Sequence, residues 1–457
     1  MSKIPDDLAA AEAIAPESPL EGPLVVAPAE AFGELTLASW PGARLAIAMF
    51  LCHFSGGCWI VTLGSYVGAN SGVNGLGIFA AGFIGMAYAA GPLGGLVSPF
   101  LTGVLADQMF AAERLTAGLS LGCAMALAWA ASTHDQTAFF WALVLYFLCY
   151  YPSFSLVTSM AMHHFAKPER DFPLARACGT LGWIAGGVFV GWVWPRVTGQ
   201  FIEDKATPMV IGLVAQLLTA AFCLTLPHTP PPNRRATRGE ASAENRGEAW
   251  RLLRSPRFAG LMALAVLAHI PSQFYYAYSN IFLNWAGMTA AAAKLTLGQL
   301  VEVACMLVLP AILLRSSVKA AVAVGMAAWV ARFLMLAAAS SESAFSGPLL
   351  YGAILLHGVA FTLVTISLQL EVDRCAGRRR RATAQGMFTV AVQGLGCFVG
   401  AQLAGQVGAR LLPVEVQHGT PQGWRTFWLF AAAGAAVALA LSLFLMRGGD
   451  RREVETA

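Results

Sequence analysis

Twelve apolar stretches run along the chain, separated by short polar breaks: 44–69, 76–105, 114–131, 137–164, 172–195, 208–227, 257–286, 294–314, 318–340, 347–372, 383–411 and 423–446. A bilayer core of about 30 Å is crossed by about 20 helical residues, because in lipid the backbone must bond to itself. Each stretch is therefore expected to be a membrane-spanning helix, and the chain an all-α membrane protein. The longest polar insertion, 228–256, carries Pro230, Pro231, Pro232, Arg234, Arg235, Arg238, Glu240, Glu244 and Arg251 and divides the twelve stretches into six and six. The expected organisation is a polar tail (1–43), a six-helix half (44–227), a central loop (228–256), a second six-helix half (257–446) and a short tail (447–457).

Composition agrees with this pattern. The chain is 57% hydrophobic and 12% charged, against roughly 45–50% and about 25% for a soluble domain. Residues 1–43 are rich in Ala, Pro and Glu and hold no apolar core of a signal peptide. They are expected to be a disordered tail, with the first span acting as an uncleaved anchor. Placing both termini in the cytoplasm puts 22 of the 29 Lys and Arg inside and five outside (Arg196, Lys205, Lys294, Arg410 and Arg425), with Arg176 and Arg332 within spans. That distribution follows the positive-inside rule and points to the inner membrane. The run Arg378–Arg381 reads as a topology anchor that also meets anionic lipid.

Several function classes drop out. No basic helix with interleaved aromatics stands clear of an apolar run, so nucleic-acid binding is not expected. The nine Cys lie scattered in apolar stretches without a metal-ligand spacing, and read as small fillers. Neither a metal nor a cofactor is expected. There is no HExxH and no nucleophile elbow, so an enzyme is not expected. A nutrient sensor would need an appended signalling domain, and the tail 1–43 is too polar and Pro-rich to be one. Gly182 and Gly186, and Gly396 and Gly400, have the four-residue spacing that lets helices approach closely.

Polar groups inside spans carry the most information, since each ionisable one costs about 2.5–3.5 kcal/mol to insert. Arg176, Thr180 and Trp183 share one face of the fifth span. Arg cannot deprotonate, so it can hold a polar ligand through a whole transport cycle. Gln299 and Glu302 share a face of the eighth span. A carboxyl at this depth is a candidate proton carrier. Gln273 and Tyr276 pair on the seventh span, followed by Asn280, and His357 and Phe361 pair on the tenth. His357 has the side chain for pH sensing. The faces of Trp183, Tyr276 and Phe361 beside amide and hydroxyl groups suit a flat heterocycle carrying a sugar. Arg332, in the ninth span, is expected in a structural ion pair away from that cavity.

Gly103-Val104-Leu105-Ala106-Asp107 resembles the cytoplasmic loop signature of the major facilitator superfamily, with Gln108 where a basic residue is usual. The resemblance implies twelve helices in two six-helix halves and gives Asp107 the role of a conformational latch. A narrower likeness covers most of the chain. Trp59–Tyr66, Asp171-Phe172-Pro173 followed by Arg176 and Gly179–Trp183, Gln299 with Glu302, Ala384–Phe388 and Gly394–Cys397 are similar to bacterial nucleoside permeases of the nucleoside:proton symporter family. That implies import of a purine or pyrimidine nucleoside with a proton, by a monomer in the bacterial inner membrane. It implies a cavity lined by Arg176, Thr180, Gln273, Gln299, Glu302 and Phe361. Trp183, Tyr276 and His357 stand where the family's characterised permease has Phe, Asn and Tyr. Losing the Asn removes an amide that could read base or ribose, so another polar solute (a nucleobase or a sugar) or drug export remains the alternative.

Overall fold

The computed structural model describes residues 35–72, 76–108, 110–230, 251–340, 346–414 and 416–446. Most of the polar tail, residues 231–250 of the central loop and the C-terminal tail lie outside the described residues, as do the side chains of 98–108.

The helices are α1 (Trp40–Trp59), α2 (Leu63–Ala69), α3 (Phe83–Gln108), α4 (Ala112–Ser132), α5 (Gln136–His164), α6 (Pro168–Val188), α7 (Trp194–Thr198), α8 (Thr207–Cys223), α9 (Pro256–Trp285), α10 (Ala291–Arg315), α11 (Val318–Ala339), α12 (Ser346–Phe361), α13 (Ser367–Thr389), α14 (Cys397–Leu411) and α15 (Pro421–Leu445). Three π-helical turns, Phe189–Val193, Thr362–Ile366 and Val390–Gly396, join α6 to α7, α12 to α13 and α13 to α14. Among the described residues ten helical segments are long and apolar enough to cross a membrane, and Phe83–Val97 and Thr207–Cys223 are shorter apolar helices.

Two boundaries depart from the hydropathy pattern. The first stretch breaks after Trp59, where Thr62 turns back to donate its hydroxyl to the Trp59 carbonyl at 3.2 Å. The second stretch becomes helical only at Phe83, because Gly77 and Gly82 take φ of +65° and +79°. That region favours glycine and interrupts a right-handed helix. At the other end of the bundle, Gly377 with φ +72° bends the chain inside α13, so the tenth and eleventh apolar stretches meet at one turn.

Small residues set the helix approaches. A Cβ on Gly182 or Gly186 would strike the carbonyl of Phe50 or Phe54, so α6 lies backbone to backbone on α1. Gly396, closing the π-helical turn, and Gly400 of α14 likewise approach the carbonyls of Val266 and Ile270 of α9. Elsewhere rings fill the space. Phe427 of α15 sits 4.6 Å from Tyr278 of α9, and Trp424 lies 5.2 Å from Phe282. Large apolar side chains also cover the outside, with Leu307 78% and Leu314 87% exposed, as expected of a surface bathed in lipid.

Helices before residue 228 meet those after 256 at close range at one end of the bundle, the end remote from the start of α1. There Gly64 of α2 abuts the Ala277 carbonyl, and a Cβ on Gly187 would lie 2.7 Å from Thr296 Cγ2. A Cβ on Gly82 would lie 3.0 Å from the Gly405 carbonyl.

Candidate functional site

Arg176 and Glu302 face each other from α6 and α10, which pack together. Their charges act on one another, but no ion pair joins them among the described residues. The Arg176 guanidinium lies over the Phe154 ring at 5.0 Å. Beside it His53 Nδ1 of α1 donates to the Met49 carbonyl at 2.8 Å, and the ring meets Phe154 edge-on at 4.8 Å. A Cβ on Gly179 would lie 2.9 Å from the His53 ring and 3.3 Å from Arg176 Nη1, so only glycine lets α6 bring Arg176 this close to that imidazole. One turn further, Trp183 reaches along α1 over Gly56.

The far wall is built by α9, α10 and α12. Gly358 lets α12 close directly on the backbone amide of Glu302. The Thr362 hydroxyl then reaches the Glu302 carbonyl at 3.4 Å, at the first residue of the π-helical turn. Such turns free backbone groups from the regular ladder and recur at functional sites. Gln299, with its amide turned to satisfy its neighbours, donates to the Leu295 carbonyl at 2.8 Å, which leaves its oxygen to accept. Gln273 packs where a Cβ on Gly400 would be 2.9 Å from its Cγ.

His357, Tyr276 and Phe361 do come together. The His357 ring stacks on Tyr275 at 5.3 Å and 18°. It meets Tyr276 edge-on at 5.6 Å and lies 6.1 Å from Phe361. Arg332, expected in an ion pair elsewhere, donates to His357 Nδ1 at 2.9 Å. It has no carboxylate partner among the described residues. No hydrogen bond links this cluster to the Arg176–Thr180–Trp183 face among the described residues. Asp107 lies in the last turn of α3, and its side chain is outside the described residues.

The closed end of the bundle holds a group with no sequence motif. Glu203, 1% exposed, lies in the link between α7 and α8. Its Oε2 accepts from Asn280 Nδ2 at 2.8 Å and Asn284 Nδ2 at 3.0 Å, and its Oε1 accepts from the Ala292 N–H at 3.2 Å. Ser65 donates to Asn280 Oδ1 at 2.5 Å. Ala292 is in the first turn of α10, where the N–H has no partner within the helix. Glu203 thus caps α10 from another part of the chain and complements its dipole. Burial pushes its carboxyl above the ordinary carboxylate value, outweighing the pull of the three donors.

Sequence reasoning passed over His53, Tyr275, Thr362 and Glu203. His53 had a signal, an ionisable side chain in an apolar stretch. Glu203 had none, since an acid in a polar link is ordinary.

Residues 41–451 match the family described as nucleoside H+ symporter. The chain is 31% identical to a putative nucleoside transporter, YegT, of Escherichia coli (strain K12), over 89% of this chain and 94% of the relative. It is 30% identical to the xanthosine permease of the same strain, over 88% and 94%. The crystal structure of the nucleoside transporter NupG superposes with a TM-score of 0.79 at 25% identity, covering 90% of this chain and all of NupG. With intramembrane charge, amide and ring groups in a many-span helical bundle, the chain belongs to the nucleoside H+ symporter family, proton-coupled carriers of nucleosides rather than enzymes.

Proposed function

We propose that this chain works by alternating access between two six-helix halves, 44–227 and 257–446, spanning the bacterial inner membrane twelve times with both termini cytoplasmic. The halves rock about a central site, and the molecule acts as a monomer. Arg176, Thr180, Gln273 and Gln299 supply hydrogen bonds to base and ribose. Trp183, Tyr276 and Phe361 supply ring faces, and His357 a further polar contact. Glu302 takes the proton, and Asp107 serves the latch between conformations. With this topology the closed end is the outer one, so the arrangement is inward-facing.

The observation that carries this reading is a permanent cation, Arg176, facing a titratable carboxylate, Glu302, across the contact of the two halves without an ion pair. A nucleoside hydroxyl placed between them competes for the same charges as the proton. Occupancy of the two is then linked by mutual effects on affinity. Purified protein in proteoliposomes, given labelled uridine, adenosine or xanthosine and an acid-outside gradient, should accumulate the nucleoside uphill. Glu302→Gln should still exchange nucleoside across the membrane but not concentrate it. Uptake indifferent to the gradient, or undiminished accumulation by E302Q, refutes the assignment.

A further inference from the structure

Arg332 is an expensive residue with an unusual partner. It is 1% exposed in the middle of α11, and a buried cation is ordinarily matched by a carboxylate. Among the described residues none is within ion-pair reach. Its one polar acceptor there is His357 Nδ1, at 2.9 Å, and its Nε has no partner. The rest of the guanidinium is held by rings, its carbon 3.9 Å from the centre of Tyr275 and 5.1 Å from that of Phe333. Tyr275 in turn stacks on the His357 ring. Guanidinium, phenol and imidazole thus form one packed unit.

The chemistry of that hydrogen bond has one solution. A guanidinium only donates and does not deprotonate in proteins. Its acceptor nitrogen must therefore carry a lone pair, which excludes the imidazolium and the Nδ1–H form. The proton of the neutral ring is then on Nε2. The opposite ring edge, at Cδ2, faces α10 at Gly298, where a Cβ would be 3.1 Å away. That puts the Nε2 side of the ring against α10 at Gly298, one turn before Glu302. The other groups facing His357 are Tyr275 and Tyr276 of α9 and Phe361 of its own helix. Among the described residues Nε2–H has no protein acceptor.

We propose that Arg332 is a positioning residue that locks His357 as the neutral Nε2–H tautomer, so that His357 offers the nucleobase a fixed hydrogen-bond donor and leaves the coupling proton to Glu302. The inference rests on the central site proposed above. Such a donor selects bases that turn a carbonyl oxygen or a ring nitrogen toward α12, and it does so at any pH the carrier meets.

Two measurements test it. The first needs no substrate. In protein labelled with nitrogen-15 histidine, the His357 signals, assigned by their loss in His357→Gln, should show a bare Nδ1 and a protonated Nε2. They should not change from about pH 5 to about pH 8, where a free imidazole titrates. An imidazolium, or a proton on Nδ1, overturns the proposal, and the readout itself is made on the parent protein. The second is binding of uridine, adenosine and xanthosine by the purified carrier across the same pH range. His357→Gln, which keeps an N–H donor, should bind within about twofold of the parent, and His357→Phe about five- to tenfold more weakly, the loss of one neutral hydrogen bond. Arg332→Met should add a pH-dependent step to binding that Arg332→Lys does not show. Folded R332M with the parent pH profile, or H357F with the parent affinity, refutes the positioning role. If the parent binds none of the nucleosides while His357 shows the expected tautomer, the substrate reading fails and the tautomer lock stands.

Discussion

Glu203→Ala removes an acceptor that three donors share across the closed end of the bundle. The bonds come from Asn280 at 2.8 Å, Asn284 at 3.0 Å and the Ala292 N–H at 3.2 Å. Hydrogen bonds to a charged group are worth about 1.5–3 kcal/mol each, but burying the carboxylate costs several kcal/mol in return. The raised pKa shows that the burial cost is the larger of the two for the carboxylate itself. The penalty of the substitution therefore comes from the donors left behind, at about 1–3 kcal/mol for each that water cannot reach. Asn284 lines a cavity of about 320 Å³ with Ser65, Phe201, Asp204 and Trp285, so water can serve it. Asn280 and the Ala292 N–H are buried and are left bare. The closed arrangement should lose about 2–6 kcal/mol against an opened one, a shift of roughly 30- to 20,000-fold at about 1.4 kcal/mol per factor of ten. Hydrogen–deuterium exchange of the purified protein reads this directly. Peptides covering Leu63–Ala69 and the first turn of α10 should exchange faster by that factor, while α4 and α5 keep their protection. Unchanged exchange in a folded E203A protein would mean that glycine-mediated helix contacts alone hold the closed end, and that the Glu203 bonds are incidental.

Other outcomes follow from the same geometry. Because the closed state raises the pKa of Glu203, closure binds a proton more tightly than the open state does. The group's contribution is full below the ordinary carboxylate value and fades as pH rises through the closed-state value. Exchange at the closed end, corrected for its intrinsic rate, should thus quicken toward alkaline pH in the parent and lose that dependence in E203A. Gly57→Val would drive a side chain into the Trp183 carbonyl. It should cost more than the roughly 1–3 kcal/mol of ordinary overpacking, because the obstacle is backbone, and thermal unfolding in detergent would show it. Gly358→Ala puts a methyl against the Glu302 amide, again backbone, so it should lower thermal stability and depress proton-driven uptake together.

The spans were legible because lipid imposes a rule that a local reading can apply, about twenty apolar residues without a break. Ten helical segments among the described residues meet it, and Phe83–Val97 and Thr207–Cys223 are shorter. Residues 76–82 are apolar enough to cross, yet Gly77 and Gly82 at positive φ hold them out of the helix. The site was legible to the extent that insertion cost flagged single residues: Arg176, Gln299, Glu302 and His357 were each conspicuous alone. What the cost could not supply was partners. Arg332 and Glu302 looked alike as intramembrane charges, one expected in an ion pair and the other expected to carry a proton. Their surroundings separate them: Arg332 is tied to a single imidazole nitrogen at 2.9 Å, while Glu302 has no partner for its carboxylate among the described residues. Only a group free of a fixed partner can exchange one ligand for another during a transport cycle, and only a group bound to a fixed partner can present the same face to every substrate. In the proposed mechanism the cluster on α9, α11 and α12 therefore selects the solute, and the facing pair on α6 and α10 moves the proton.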